Sequence, residues 1–234
     1  MADSRTIVVA GPIADARQHA YEFAMREVGM KCHFASYDEA PALFEGAKVA
    51  AGLITLPAST AGTPFDSLEP ADFEAGLHAD LHGRFATAQA CVRASGQDGC
   101  SIVHLVEADG LIGGQEKGLC GIGTMAAVGL SRSIALDNRG KPMRSNVVAL
   151  TGAERPAELA AFLRFLMFEG GCTFTGQVFA LGDATVYICG QPRPLRVAHR
   201  DGGWSQADLS ALMDQAWESA LVSTKETAAK VFSL

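Results

Sequence analysis

Short apolar runs alternate along the chain with longer stretches whose apolar residues recur every three or four positions. Thr6 to Ala10 predicts a strand ending at Gly11-Pro12, and a helical pattern from Ala14 to about Val28 stops at Gly29. Lys31 to Ala35 predicts a second strand, Asp38 to Glu45 a short helix, and Val49 to Leu56 a strand apolar on both faces. Pro57 to Pro70 reads as loop. Ala71 to Ala94 predicts a long helix whose stripe includes Phe73, Leu77, Leu81 and Phe85. Ser101 to Glu107 predicts a strand, Asp109 to Gly118 a glycine-rich loop, and Leu119 to Asp137 a second long helix. Ser145 to Leu150 predicts a strand, Pro156 to Phe168 a helix and Gln177 to Leu181 a strand, with Thr185 to Cys189 as its candidate continuation. This alternation predicts an α/β protein with a doubly wound parallel sheet over residues 1–190. A C-terminal extension over 191–234 follows, with Trp204, Leu209, Leu212, Met213 and Trp217 giving it an apolar side.

The 234 residues are 48% hydrophobic and 19% charged, which excludes a disordered chain. A net charge of −7 with no basic run argues against nucleic acid and anionic membrane as partners. No apolar stretch is expected to reach the roughly 18 residues of a membrane span. Met1 to Thr6 lacks the charged-then-apolar order of a signal peptide. The six cysteines are scattered and form no CxxC, which excludes a zinc ribbon and a thioredoxin motif. They read as reduced thiols of a cytoplasmic protein.

Several segments, in order and in register, resemble the short-chain dehydrogenase/reductase family. Ser101-Ile-Val-His-Leu-Val-Glu107 is similar to the family's strand ending in its catalytic serine, and Ala126 to Leu136 to the helix after its active-site lysine. Asp80-Leu-His-Gly-Arg-Phe85 resembles the middle of its first interface helix, Arg144 to Ala149 its next strand and Phe174 to Phe179 its last core strand. The resemblance spans most of residues 5 to 182. It implies a Rossmann-like fold and a tyrosine base with a lysine four residues later, the lysine lowering the phenol's pKa. Aligned on Gly129-Leu130, the tyrosine position holds Cys120 and the lysine position Thr124. The serine position, thirteen before Cys120, holds Glu107, and the helix asparagine corresponds to Asp80. The three tyrosines, Tyr21, Tyr37 and Tyr187, are followed four residues later by Met25, Pro41 and Gln191, so no Tyr-x-x-x-Lys exists.

The family's glycine-rich first turn, Thr-Gly-x-x-x-Gly-x-Gly, brings the backbone to a cofactor pyrophosphate. Here the stretch from Ala10 to Arg17 keeps only Gly11; Asp15 adds a carboxylate, Arg17 stands in place of the last glycine, and Pro12 removes an N–H. The interval from Gly11 to the Ile54–Ala58 segment is shorter than the family's by roughly one βα unit, the part lining the adenosine. No cofactor is therefore expected on this chain.

Other motifs read blandly. Gly118-Leu-Cys-Gly121-Ile-Gly123 mimics a nucleotide fingerprint but does not directly follow a strand, so helix packing is expected. His78 and His82 share a helix face at a spacing zinc could use, without the glutamate of HExxH or a third ligand, so a polar face and no metal are expected. Cys120 reads as a buried apolar cysteine rather than the nucleophile of a His104–Glu107 triad. Glu107 reads as an exposed or capped carboxylate.

The resemblance therefore implies a catalytically inactive subunit joined, in a heterotetramer, to an active short-chain dehydrogenase that carries NAD. Its interface is expected on the two long helices, at Leu77, Leu81, Phe85, Ile122, Ala126 and Leu130, with Trp204 and Trp217 from the extension. Small residues from Gly121 to Gly129 would let helices approach. Gly176-Gln-Val-Phe179, Gln191-Pro-Arg-Pro-Leu-Arg196 and Asp201-Gly-Gly-Trp-Ser205 resemble the tails of family members acting on acyl-CoA thioesters. Two alternatives stay open: an independent enzyme without a nicotinamide, and a small-molecule sensor using the crevice at the strands' carboxyl ends.

Overall fold

The computed structural model describes residues 6–12, 15–45, 52–58, 62–152, 155–168, 173–190 and 197–214, with side chains 15–18 outside that description. The chain divides into two compact units, Met1–Cys189 and Gly190–Leu234.

The first unit is built on seven strands in the order β2-β1-β3-β4-β5-β6-β7. They are β1 (Thr6–Ala10), β2 (Lys31–Ala35), β3 (Gly52–Thr55), β4 (Ser101–Glu107), β5 (Arg144–Leu150), β6 (Val178–Gly182) and β7 (Thr185–Cys189). The first six run parallel, with Val9 beside Ile54 and Ile54 beside Val103. Central strands β1, β3 and β4 are nearly continuous buried runs because helices cover both faces. On one face α1 (Asp15–Glu27) and α7 (Pro156–Phe168) enclose Ile7, Val9, Ile54, Val103, Leu163 and Leu166. On the other, α2 (Ala40–Glu45) and α4 (Gly83–Ser95) enclose Val8, Leu53, Ala88, Cys91 and Ile102.

Dinucleotide-binding sheets commonly run 3-2-1-4-5-6. Here, among the described residues, only the six-residue α2 lies between β2 and β3, and the order begins 2-1-3. One strand fewer flanks β1, as the short interval after Gly11 predicts.

The expected long helix over 71–94 is α3 (Pro70–Leu77), one π turn (His78–His82) and α4. Pro70 begins it where a missing N–H costs nothing. The expected loop over 109–118 contains a short helix, α5 (Asp109–Ile112). The second long helix, α6 (Gly118–Asp137), matches expectation at both ends within a residue.

Two expectations are corrected. Thr185 to Cys189 does not extend the parallel sheet but returns antiparallel along β6. Asp183 and Ala184 both take left-handed conformations, φ 45° and 57°, the pairing a tight hairpin turn requires. Among the described residues α6 is also long and apolar enough to cross a membrane on length and composition alone, with mean hydropathy 1.5, although no such stretch was expected. It packs against β4 and β5, burying Thr124, Ala127, Val128, Ser131 and Ile134, and Ser131 accepts a 2.9 Å hydrogen bond from Ser145.

In the second unit, α8 (Gln206–Leu212) starts in a capping box. The Ser205 hydroxyl accepts the Asp208 N–H, while the Ser205 hydroxyl and backbone N–H donate to the Asp208 carboxylate and hold that carboxyl below its usual range. Trp204 precedes this cap, whereas Trp217 and Gln191–Arg196 lie outside the described residues, as do 49–51 at the start of the expected third strand.

Candidate functional site

Parallel strands place their carboxyl ends on one edge, so the loops leaving β3 and β4 open beside the same helices. Four sequence-predicted positions meet there. Asp80, Glu107, Cys120 and Thr124 line one narrow cleft with Leu77, Leu81 and Arg84. The cleft encloses about 20 Å³, room for about one water.

Each side chain is placed by its element. Asp80 sits in the π turn, a local widening that takes one extra residue per turn. Its Oδ1 accepts the Ala58 N–H at 3.2 Å and the Arg84 Nε at 2.9 Å. Gly123 of α6 comes so near that a Cβ there would lie 2.8 Å from Asp80 Oδ2, so its smallness serves packing within this chain. Ala127 is likewise buried inside, while Gly129 faces open space.

Arg84 was not singled out in the sequence. It is 1% exposed, and beyond Asp80 it donates from Nη1 to Thr55 Oγ1 (2.6 Å) and from Nη2 to the Leu56 carbonyl (3.0 Å). Thr55 Oγ1 lies 2.8 Å from His104 Nδ1. The Tyr37 hydroxyl donates to the same Leu56 carbonyl at 2.6 Å. Burial pushes the Tyr37 phenol up to about 12. Burial, and secondarily the Arg84 charge, pushes His104 down to about 3, so it is a neutral ring beneath the cleft. A partner for Asp80 at i+4 is a readable helical signal, but arginine on an apolar stripe reads as a snorkelling surface residue.

Glu107 ends β4 and is a third exposed. Lys117 Nζ lies 3.5 Å from its Oε2 and 4.0 Å from Asp109. Cys120, in the first turn of α6, is half-buried and donates to Glu107 Oε2 at 3.5 Å, which corrects the apolar reading. Burial and the Glu107 charge push its thiol up to about 11 despite the helix start. Near neutral pH it is a thiol rather than the thiolate a nucleophile needs. Thr124 Oγ1 donates to the Glu107 carbonyl at 3.5 Å. His104 bonds Thr55 rather than Cys120 or Glu107. The cleft therefore offers an acid–thiol pair and a buried cation, not the phenol–ammonium pair of the resembled family.

At the end of β1, Gly11 is buried, and its N–H donates to Ala35 O at 3.1 Å. A Cβ on Gly11 would lie 2.7 Å from that of Leu56. Asp15 and Arg17 begin α1, and their side chains lie outside the described residues. A larger cavity of about 530 Å³ opens beside Gly11, Pro12, Asp38, His78 and His82, with no lysine or arginine in its lining. His78 and His82 stack with ring centroids 4.7 Å apart. Among the described residues no three His, Cys, Asp or Glu side chains group to hold a metal.

The expected interface residues fall into two sets. Phe85 and Ile122 are exposed, together with Met125. Leu77 and Leu81 are half-buried and line the cleft of their own chain, and Ala126 and Leu130 are half-buried on α6.

No family model matches the chain. It is 29% identical over 149 residues to a 3-oxoacyl-[acyl-carrier-protein] reductase of Rattus norvegicus, covering 62% of this chain and 63% of that protein. The counterpart in Mus musculus is 28% identical over the same length. The match thus spans less than two thirds of either relative. A short-chain dehydrogenase from Mycobacterium avium has the same fold, with TM-score 0.78 at 16% identity over 93% of this chain and 95% of its own. A short-chain dehydrogenase/reductase from Serratia marcescens gives 0.64 at 14% identity, over 77% of this chain and 97% of its own. The class is thus the Rossmann-like fold of short-chain dehydrogenases.

Proposed function

We propose that this chain is a catalytically inactive, structural subunit of a cytoplasmic, hetero-oligomeric short-chain dehydrogenase, whose active partner carries NAD and oxidises a hydroxyacyl-CoA. The observation that carries the reading is the chemistry of the cleft. The positions aligned with the family's tetrad still converge, but they hold Asp80, Glu107, Cys120 and Thr124. A base that shuttles a proton at neutral pH needs a pKa near that pH. The Cys120 thiol is at about 11 and the Tyr37 phenol at about 12, with Tyr37 committed to Leu56.

Three observations argue against a dinucleotide on this chain. The Gly11 N–H is already used by Ala35, and Pro12 has none to offer a phosphate. The cavity of about 530 Å³ beside Gly11 and Pro12 has room for a ligand, but its lining brings the Asp38 carboxylate and no lysine or arginine to meet a pyrophosphate. One βα unit fewer flanks β1 on the side where the adenosine half binds. The proposed chemistry therefore involves no hydride step on this chain.

The substrate reading rests on the acyl-CoA-like tail motifs, and the curated relatives are named for a 3-oxoacyl substrate on a carrier protein. Within it, the particular protein the motifs resemble is the non-catalytic subunit of (S)-2-[hydroxy(phenyl)methyl]-succinyl-CoA dehydrogenase. That enzyme belongs to the β-oxidation of benzylsuccinyl-CoA in anaerobic toluene degradation. There the active subunit would oxidise a secondary alcohol to the ketone of benzoylsuccinyl-CoA.

Tagged full chain, purified from native expression, tests the reading. The expected result is co-purification of a dehydrogenase with an intact Tyr-x-x-x-Lys, and NAD-dependent turnover of a hydroxyacyl-CoA that disappears when that partner's tyrosine is replaced. Turnover by the isolated chain, or purification alone from cells making the substrate, would contradict it.

A further inference from the structure

We propose that Cys91 and Cys100 are a redox pair that closes to an intrachain disulfide when the protein meets a small hydroperoxide. Cys91 lies on α4, and Cys100 immediately precedes β4. Their sulfurs are 3.3 Å apart although the residues are nine positions apart in sequence. Only a short sulfur displacement is needed to reach bonding distance. Both side chains belong to one core cluster, Cys91 fully buried and Cys100 5% exposed.

The surroundings make the two thiols unequal. The hydrogen bond with Cys91 holds the Cys100 thiol below its usual value, while the same bond and burial hold Cys91 well above its own. Cys100 also borders the exposed turn at 96–98, where Gly96 has φ 50°. It is therefore the sulfur that a small oxidant meets first, and the fraction ionised sets its reactivity. Cys32 and Cys120 differ, their thiols pushed up to about 12 and about 11.

The chemistry balances with one hydrogen peroxide. The Cys100 thiolate attacks one peroxide oxygen, breaking the O–O bond to give Cys100 sulfenic acid and a hydroxide that takes up the Cys100 proton. The Cys91 sulfur then attacks the Cys100 sulfur, forming S–S and breaking S–O. The released hydroxide takes the Cys91 proton and leaves as a second water. Two thiols lose two electrons in total, and the peroxide gains them.

The new bond would fasten the last turns of α4 to the amino end of β4, the opposite end from Glu107. The inference is independent of whether the chain is an inactive subunit.

The test uses the full reduced chain in native buffer with hydrogen peroxide, then unfolding, alkylation and mass spectrometry. Two of the six thiols should resist alkylation and the intact mass should fall by about 2 Da. Trypsin cuts after Arg93, so the disulfide should appear as a peptide ending at Arg93 linked to the one beginning at Ala94. Cys91→Ser should abolish the linked pair and leave a sulfenic acid at Cys100 that a dimedone probe traps. All six thiols remaining alkylatable, linkage through Cys120 or Cys189, or a covalent dimer in place of the internal bond would overturn the proposal; each is read on the unmodified protein.

Discussion

Asp80 and Arg84 form an i,i+4 ion pair at 2.9 Å in which the arginine is 1% and the aspartate 14% exposed. A cation so buried is tolerable only because Thr55 and the Leu56 carbonyl complete its hydrogen bonds. The π turn that carries Asp80 thus joins the helical stretch of α3 and α4 to the end of β3. Asp80→Ala would strand the guanidinium and is expected to cost about 3–5 kcal/mol in urea unfolding. Asp80→Leu with Arg84→Met should recover most of that loss. A double-variant loss equal to the sum of the Asp80→Leu and Arg84→Met losses would show that the pair is not energetically coupled.

His104 gives the fold a pH dependence. Its ring is held at about 3 when folded against 6.5 when free, so the unfolded chain takes up a proton that the folded one refuses. The contribution is complete above pH 6.5 and is lost as pH falls, at about 1.4 kcal/mol per unit between the two values. Urea midpoints measured from pH 7.5 to 5 should fall accordingly, and the slope should flatten in His104→Asn. An unchanged slope in that variant would place the protonation elsewhere.

Local patterns made some of this readable. The run Ser101–Glu107 and the helix Pro156–Phe168 stand where periodicity puts them, because both are bounded by sharp punctuation and packed on continuous apolar faces. The convergence of Asp80, Glu107, Cys120 and Thr124 was also legible, since family register carries spacing even where chemistry differs. Other features depend on distant partners. Arg84 is anchored by Thr55, 29 positions away, so its burial had no local signal. The Cys120–Glu107 contact depends on the path of residues 108–117, which folds partly as α5. The return of β7 rests on Ala184 in a left-handed conformation, where glycine or asparagine is the usual cue.

Restoring the family's residues should not restore its chemistry. Cys120→Tyr with Thr124→Lys would supply a phenol and an ammonium, yet the Gly11–Pro12 turn would still lack phosphate donors. No NAD-dependent oxidation of a hydroxyacyl-CoA is expected from the purified double variant. Measurable turnover would place the main defect in the tetrad.

Phe85 on α4 and Ile122 and Met125 on α6 are 48%, 39% and 47% exposed. Exposed large apolar side chains on adjacent helices mark association surfaces. Phe85→Asp with Met125→Asp should leave the circular dichroism spectrum unchanged and lower the sedimentation coefficient of the proposed hetero-oligomer by at least one subunit step. Leu81→Asp should instead weaken the fold, because Leu81 lines its own chain's cleft. An unaltered assembly in the first variant would place the interface elsewhere.

If hydride chemistry belongs to another subunit, this chain alone binds no nicotinamide cofactor, and titration of the isolated chain measures that. Calorimetry with NAD, NADH, NADP and NADPH should give no saturable heat up to about 1 mM, because the sequence keeps only Gly11 of the glycine-rich turn on which pyrophosphate binding would depend. A micromolar dissociation constant for any of the four would contradict the account.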